Sequence, residues 1–259
     1  MRLFQACLFS ATLVAASFAP PSTAPHMGRR SKAKAGRPAA EEERYYGGAA
    51  AAPGATLCMP PLRRRKRPLA AAWETGAGTC SIAGALDAAE CAALVAAATA
   101  YGFSHQSSRG PAFGEARRQH LRCAFDDAAS VSALWGRLRD VCRDALPSIG
   151  GLVPVGLNQN VRMYAYEPSD HFGAHYDQSV KVHDGLRTEY TLLVYLSGDM
   201  AGGETVFYDK REREIARIVP AEGAALLFRH GDECLMHEAM PVRSGTKHVL
   251  RTDVIYGPA

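Results

Sequence analysis

The chain has 259 residues, 47% of them hydrophobic, and its 30 Lys and Arg against 26 Asp and Glu give a formal net charge of +4. That length accommodates one sizeable domain with an extension, or two small domains. Much of the positive charge sits in two early runs, Arg29 to Lys34 and Arg63 to Arg67, so the near-balanced remainder argues against a nucleic-acid-binding protein.

The first residues, MRLFQACLFSATLVAASFAP, combine Arg2, an apolar run from Leu3 to Ala16 and small residues at Ala15, Ala16 and Ser17. This is a signal-peptide pattern over residues 1–17, too short to span a membrane, so no stable transmembrane span is expected after its removal. Residues 18–78 are rich in Ala, Pro, Gly and Arg and lack apolar periodicity, which predicts a disordered, targeting or linker region. A secretory signal with entry to the endoplasmic reticulum fits the pair of segments. The "SFAP" stretch and the Arg/Ser/Ala-rich tail also resemble the two-part plastid presequences of algae with complex plastids. Seven cysteines without a C-x-x-C pair exclude a zinc ribbon or thioredoxin motif, and most are expected to be core or free thiols.

A folded domain is expected over residues 79–259. "SIAGALDAAECAALVAAATAYGF" places Leu86, Cys91, Leu94, Val95 and Ala98 at helical spacing, with Asp87 and Glu90 in the first turn and Gly102 at the end. A second helix, "DAASVSALWGRLRDVCRDAL", sets Val131, Leu134, Trp135, Leu138 and Val141 on one stripe. The link between them, with Arg117, Arg118 and Arg122, reads as an exposed charged segment, with substrate contact as the second reading. Beyond Gly156 the period becomes two: "NVRMYAY", "YTLLVYL", "GETVFYD", "IARIVPAEGAALLFR" and "KHVLRTDVIY" are short strands separated by turn residues. The fold class is therefore mainly β, a double-stranded β-helix (jelly roll) with N-terminal supporting α-helices and a core at 156–257.

Within this region "HFGAHYDQSV" poses a choice. On a helix His171 and His175 share a face; on a strand His175 and Asp177 do, and the surrounding period favours the strand. A His-x-Asp pair with one more His from a later strand is the facial arrangement that leaves positions open on Fe(II) for substrate and dioxygen. His230, His237 and His248 lie downstream as candidates for that ligand, and His230-Gly231-Asp232 repeats the His-x-Asp pattern by chance.

Three linked motifs narrow the choice. "Y-E-P-S-D-H-F-G-A-H-Y-D", "YLSGDMAGGETVF" and "H-E-A-M-P-V-R-S-G-T-K" resemble, in order, segments of the prolyl 4-hydroxylase-like branch of the Fe(II)- and 2-oxoglutarate-dependent dioxygenases, over roughly Leu86 to Tyr256. The resemblance implies Fe(2+) on His175, Asp177 and His237, which lies 62 positions after His175 (237 − 175). It assigns the distal carboxylate of 2-oxoglutarate to Lys247, ten positions after His237 (247 − 237), with Arg251 ranked second for that role. Tyr195 corresponds to the phenol sharing that carboxylate, Thr191 points to the same face, and Tyr166 corresponds to the tyrosine lining the pocket. His171 drops out as a metal ligand, and His183 falls in a solvated loop.

The activity so implied is hydroxylation of a C–H bond with dioxygen as co-reactant and L-ascorbate as reductant. The substrate is a peptidyl proline by analogy, or a small molecule or another side chain; a jelly-roll binding module without turnover belongs to a different class. Two departures stand out. Ser169 replaces the family's glycine, which suggests a slightly different turn, and His248 replaces the Trp of collagen-type members, which argues against a collagen-like substrate.

Overall fold

A computed structural model describes residues 59, 61–63, 65, 67–74, 77–104, 116, 118–182 and 186–259. The signal-like segment 1–17, most of the linker, Cys7, Cys58, Arg117 and His183 lie outside the described residues. Among the described residues no helix is long and apolar enough to cross a membrane.

The period-two runs fold into two main antiparallel sheets, as the jelly-roll expectation requires. One contains, in order, β1 (Ala71–Glu74), β2 (Thr79–Ile82), β11 (Ala225–Arg229), β7 (Arg187–Tyr195), β14 (Lys247–Gly257), β5 (Asn160–Tyr166) and β3 (Leu121–Asp126), with β4 (Val153–Leu157) also paired to β14. The other runs β10 (Glu214–Ile218), β9 (Thr205–Tyr208), β12 (Met236–Ala239) and β6 (Phe172–His175). A short pair joins β8 (Ala201–Gly202) to β13 (Val242–Ser244).

Alternation sorts each strand of the large sheet into two faces. On β7, Tyr190, Leu192 and Val194 enter one apolar cluster, while Tyr195 enters a second; on β11, Leu227 joins the first, and Leu226 and Phe228 the second. On β14, Leu250 and Val254 join the first cluster and Val249 the second. The first cluster includes Leu94 and Ala98 of α1 (Ala88–Tyr101) and Leu134 and Leu138 of α2 (Ala128–Ala145), so both predicted helices support the large sheet from one side. Each such Leu or Val contributes roughly 1.5–3 kcal/mol of burial. The second cluster lies on the opposite face and surrounds the polar residues considered below.

Local chemistry sets α1. Asp87 caps it, accepting from the Glu90 N–H at 2.8 Å, while Glu90 accepts from the Asp87 N–H at 2.9 Å, a reciprocal box that satisfies two otherwise orphaned donors. Glu90 is buried and also accepts from both Arg137 nitrogens, at 2.5 and 2.8 Å, and from the Arg63 N–H at 2.7 Å. Burial works to raise this carboxyl, but the Arg137 bonds outweigh it and hold the group at about 2. One end of the Arg63 to Arg67 run is thereby tied to both helices.

Three expectations need correction. The folded unit reaches upstream of Thr79: Ala71–Glu74 is a strand paired with β2, and Met59 is buried. The composition of 18–78 hid these short elements because their contacts are supplied by residues far along the chain. The link between the helices contains β3, which pairs along its length with β5, and Arg122 is half-buried there; its alternating Leu121, Cys123 and Phe125 was the overlooked signal. Ser169, finally, keeps the glycine-type backbone, with φ 77°.

The turn Glu167-Pro168-Ser169-Asp170 is closed by the Asp170 N–H donating to the Glu167 carbonyl at 2.9 Å. Pro at the second position and positive φ at the third are type II features. A left-handed non-glycine residue costs roughly 1–2 kcal/mol, partly offset by the greater chain entropy of glycine. Ser169→Gly is therefore expected to raise stability by about 0.5–1 kcal/mol, read as a higher urea midpoint with an unchanged slope. An unchanged or lower midpoint would contradict the strain.

The described cysteines, Cys80, Cys91, Cys123, Cys142 and Cys234, are free and buried. Burial pushes the first three thiols up to about 11 and Cys142 to about 12, which makes them inert core residues.

Candidate active site

β12 pairs with β6 so that His237 stands directly opposite His175. β6 ends at His175, so Asp177 is not on the strand, as the sequence predicts, but just beyond it. Its backbone is fixed instead by the turn that follows β11. The Asp177 N–H donates to Cys234 Sγ at 3.2 Å, and its carbonyl accepts from the Gly231 N–H at 2.9 Å.

The three side chains converge. His175 Nε2 lies 3.7 Å from Asp177 Oδ1, and His237 Nε2 lies 3.6 Å from Asp177 Oδ2; all three potential ligand atoms fall within 4.8 Å of one another. Each imidazole is oriented by a carbonyl two residues earlier. His175 Nδ1 bonds to the Gly173 oxygen at 2.8 Å and His237 Nδ1 to the Leu235 oxygen at 2.9 Å. With Nδ1 donating to a carbonyl, Nε2 is left to the metal. Phe172 stacks on His175 at 3.7 Å between centroids, and Phe228 meets His237 edge-on at 4.7 Å. Two imidazoles and a carboxylate suit a divalent transition metal, and their grouping on one side leaves the pocket side open.

The electrostatics favour an ionised carboxylate. Burial would raise Asp177, but the Arg251 charge and the hydrogen bond from His237 hold it well below the usual carboxylate range. His175 is driven down to about 3 by burial and by the neighbouring His237. His237 moves the other way: burial opposes its charge, yet Asp177 and then Cys234 lift it to about 9. Asp177 thus favours the protonated form of His237, and a metal bound at Nε2 would compete with that proton.

Lys247, Val249 and Arg251 occupy alternate positions of β14 and line the same pocket as the triad, together with Tyr164, Tyr166, Leu193 and Thr205. Lys247 is 2% exposed. Its Nζ donates to the Gly203 carbonyl at 2.6 Å and sits over the Tyr166 and Tyr195 rings, at 5.0 and 5.7 Å. Gly203 has φ +68°, and a Cβ there would approach Lys247 Cδ to 3.0 Å, so the second glycine of "AGGET" leaves room for the lysine stem. Among the described residues no carboxylate lies within ion-pair distance of Lys247. Burial depresses its pKa to about 7, with Glu204 opposing. A buried ammonium without a counter-ion, facing a pocket, is a site for an anion.

The remaining predicted residues separate. Tyr166 lines the pocket. Tyr195 is fully buried beside Lys247, with its hydroxyl bonded to Thr205 Oγ1 at 2.9 Å. Thr191, expected on the cosubstrate face, donates instead to Asp177 Oδ2 at 2.8 Å, so the structure gives it to the metal carboxylate. Arg251 likewise reaches Asp177, Nη2 to Oδ1 at 3.0 Å. His171 and His248 stand outside the triad, the former half-buried with Nδ1 3.4 Å from the Ser169 carbonyl. Sequence reasoning missed His120, which is buried against Tyr164, Tyr166 and Phe172, and the contacts of Cys234; neither carries a motif.

Residues 161–252 match the model of the 2OG-Fe(II) oxygenase superfamily, a family that implies Fe(2+) and 2-oxoglutarate. Among solved structures, the chain is similar to a viral collagen prolyl hydroxylase from Paramecium Bursaria Chlorella virus-1 in complex with 2OG. That likeness has 21% identity and TM-score 0.51, covering 70% of this chain and 97% of the other. It is also similar to a prolyl hydroxylase from Trichoplax adhaerens in complex with a hypoxia inducible factor oxygen degradation domain peptide fragment. Here identity is 17% and TM-score 0.51, covering 69% and 84%. At these identities the likeness establishes the fold. A comparison with curated proteins gave no match. The resemblance to Fe(II)- and 2-oxoglutarate-dependent oxygenase segments read from the three motifs is borne out over these residues, and the likeness to prolyl hydroxylase structures extends to the fold.

Proposed function

We propose that this chain is an Fe(II)- and 2-oxoglutarate-dependent dioxygenase that hydroxylates a C–H bond, with peptidyl proline as the first substrate class to test. One observation carries the reading: the His175, Asp177 and His237 triad and the buried, unpaired Lys247 line one pocket. A metal site alone would fit a hydrolase or a binding module. A metal site sharing its pocket with a buried ammonium fits a metal-binding dicarboxylate.

When bound, iron would let dioxygen act as the oxidant, one oxygen atom going to the C–H bond and the other to 2-oxoglutarate, which leaves as succinate and carbon dioxide. The protein's own residues do the rest. His175 and His237 present Nε2 because Gly173 and Leu235 hold their other nitrogens, and Thr191 and Arg251 fix the two oxygens of Asp177. Lys247 takes the distal carboxylate of the cosubstrate, with Tyr166 and Tyr195 forming its walls. Phe172, Phe228 and Val249 keep the pocket apolar, which strengthens the charge-assisted bonds within it. Ascorbate, on the same resemblance, keeps the metal ferrous.

A peptide rather than a small metabolite is favoured because a protein of like fold is bound to a peptide. His248, in place of Trp, points away from collagen-like repeats. The N-terminal sequence pattern supports entry to the secretory pathway or, through a two-part presequence, to a plastid. Incubating the protein with Fe(II), 2-oxoglutarate and proteome-derived peptides should give products heavier by one oxygen on proline, seen by mass spectrometry. Oxygen gained only on other side chains or on small molecules would redirect the substrate assignment. No oxygenated product under any condition would leave a binding module.

A further inference from the structure

Behind the metal carboxylate lies a buried charged cluster, in which Arg251 joins Asp177 to groups that neither the triad nor the lysine site uses. Arg251 is 8% exposed and Asp253 is 1% exposed. Arg251 Nη2 lies 3.0 Å from Asp177 Oδ1 and 3.7 Å from Asp253 Oδ1. Buried His230 completes the group, with Nδ1 3.1 Å from Thr191 Oγ1 and 4.0 Å from Asp253 Oδ1. Arg251 Nε and Asp253 Oδ1 make no hydrogen bond among the described residues. The pair is thus held by charge rather than by a closed hydrogen-bond network. A guanidinium touching a metal carboxylate competes with any cation arriving there, which makes its presence a cost to metal binding alone.

We propose that Arg251, balanced by Asp253, couples metal binding to cosubstrate binding by opposing the dication on its own and favouring the carboxylate that follows it. This rests on the function proposed above. At the metal end, Asp177, Asp253 and Arg251 sum to a single negative charge. A dication brings that end to a single positive charge, and one cosubstrate carboxylate returns it to neutral. Lys247 and Arg251 lie four positions apart along the strand, roughly 13 Å between Cα atoms, so the two cations serve opposite ends of the pocket. Without Arg251 the dication alone neutralises the metal end, and a further carboxylate leaves it negative. The cluster makes Arg251 a positioning residue, acting through Asp177, whose signature is a pair of opposite effects.

Co(II) titration followed by visible absorption, then calorimetric titration of 2-oxoglutarate into the Co(II) protein, separates the two terms without turnover. In Arg251→Met, Co(II) affinity should rise and 2-oxoglutarate affinity fall, each by about tenfold or more, because a full charge is removed from a low-dielectric site. Arg251→Lys keeps the charge and should restore both towards wild type. Asp253→Asn is the mirror image, with weaker Co(II) and tighter 2-oxoglutarate, and it serves if Arg251→Met does not fold. Affinities that fall together, or stay unchanged, in the variants that fold would overturn the coupling and leave Arg251 a packing residue. Failure of the wild-type Co(II) protein to bind 2-oxoglutarate would instead overturn the proposed function.

Discussion

Replacing Lys247 with alanine is expected to raise the 2-oxoglutarate requirement by about 10- to 10²-fold while leaving metal affinity within a few-fold of wild type. The magnitude follows from losing a charge-assisted bond in a dry pocket, worth about 1.5–3 kcal/mol. Selectivity follows from position: Lys247 contacts the Gly203 carbonyl and the tyrosine rings, whereas the metal carboxylate is held by Thr191 and Arg251. An unchanged requirement would move the anion-binding role to Arg251.

The same lysine sets a pH dependence. Burial lowers it from 10.5 to about 7, so the ammonium that binds a carboxylate is present below pH 7 and lost above it. Apparent 2-oxoglutarate affinity should be level below pH 7 and weaken about tenfold per unit above it. The unfolded chain keeps its lysine protonated to near pH 10, so between these values it binds more protons than the cosubstrate-free fold. Stability of that fold should therefore gain as pH rises from 7 towards 10, an increment that Lys247→Ala removes.

Asp177→Asn carries the other large effect, a fall in metal affinity of about 10²-fold or more with loss of turnover, since a neutral amide cannot offset a dication. The shape is retained, and the Thr191 hydroxyl can rotate to suit the amide. Alanine is the poorer choice: both variants remove the charge facing Arg251, but the amide can still accept from Arg251 and meet Thr191, whereas alanine leaves both without a partner, so lost folding would mimic lost binding. Co(II) absorption titration of the asparagine variant measures the effect, and wild-type affinity would remove Asp177 from the metal site.

Much of this site was legible because strand alternation is strict. His175, His237, Lys247 and Tyr166 are placed by period two and by motif spacing, and all face the pocket. Likewise α1 and α2 follow their apolar stripes, and the Asp87 cap is visible as a residue type in the right position. What was not legible depends on partners distant in sequence. Thr191 shares parity with Tyr195, yet parity cannot say that the carboxylate of Asp177 lies nearer than the lysine site. His230 and Asp253 resemble ordinary buried polar residues until β7, β11 and β14 are paired, which sets Thr191 against both Phe228 and Asp253. Ser169 misled because residue type argued for a changed turn, whereas the bonds from the Ser169 N–H to the Val242 carbonyl and from the Val242 N–H to the Asp170 carbonyl hold it in the glycine conformation.

The central claim is that triad and lysine act as one oxidising site. The direct measurement is conversion of 2-oxoglutarate to succinate by the purified protein with Fe(II) and the peptide mixture, run in air, without oxygen, and with Asp177→Asn. The account predicts succinate in air alone, matched one for one by consumed 2-oxoglutarate and absent from the variant. Turnover that persists without oxygen, or none by the wild type in air, would contradict it.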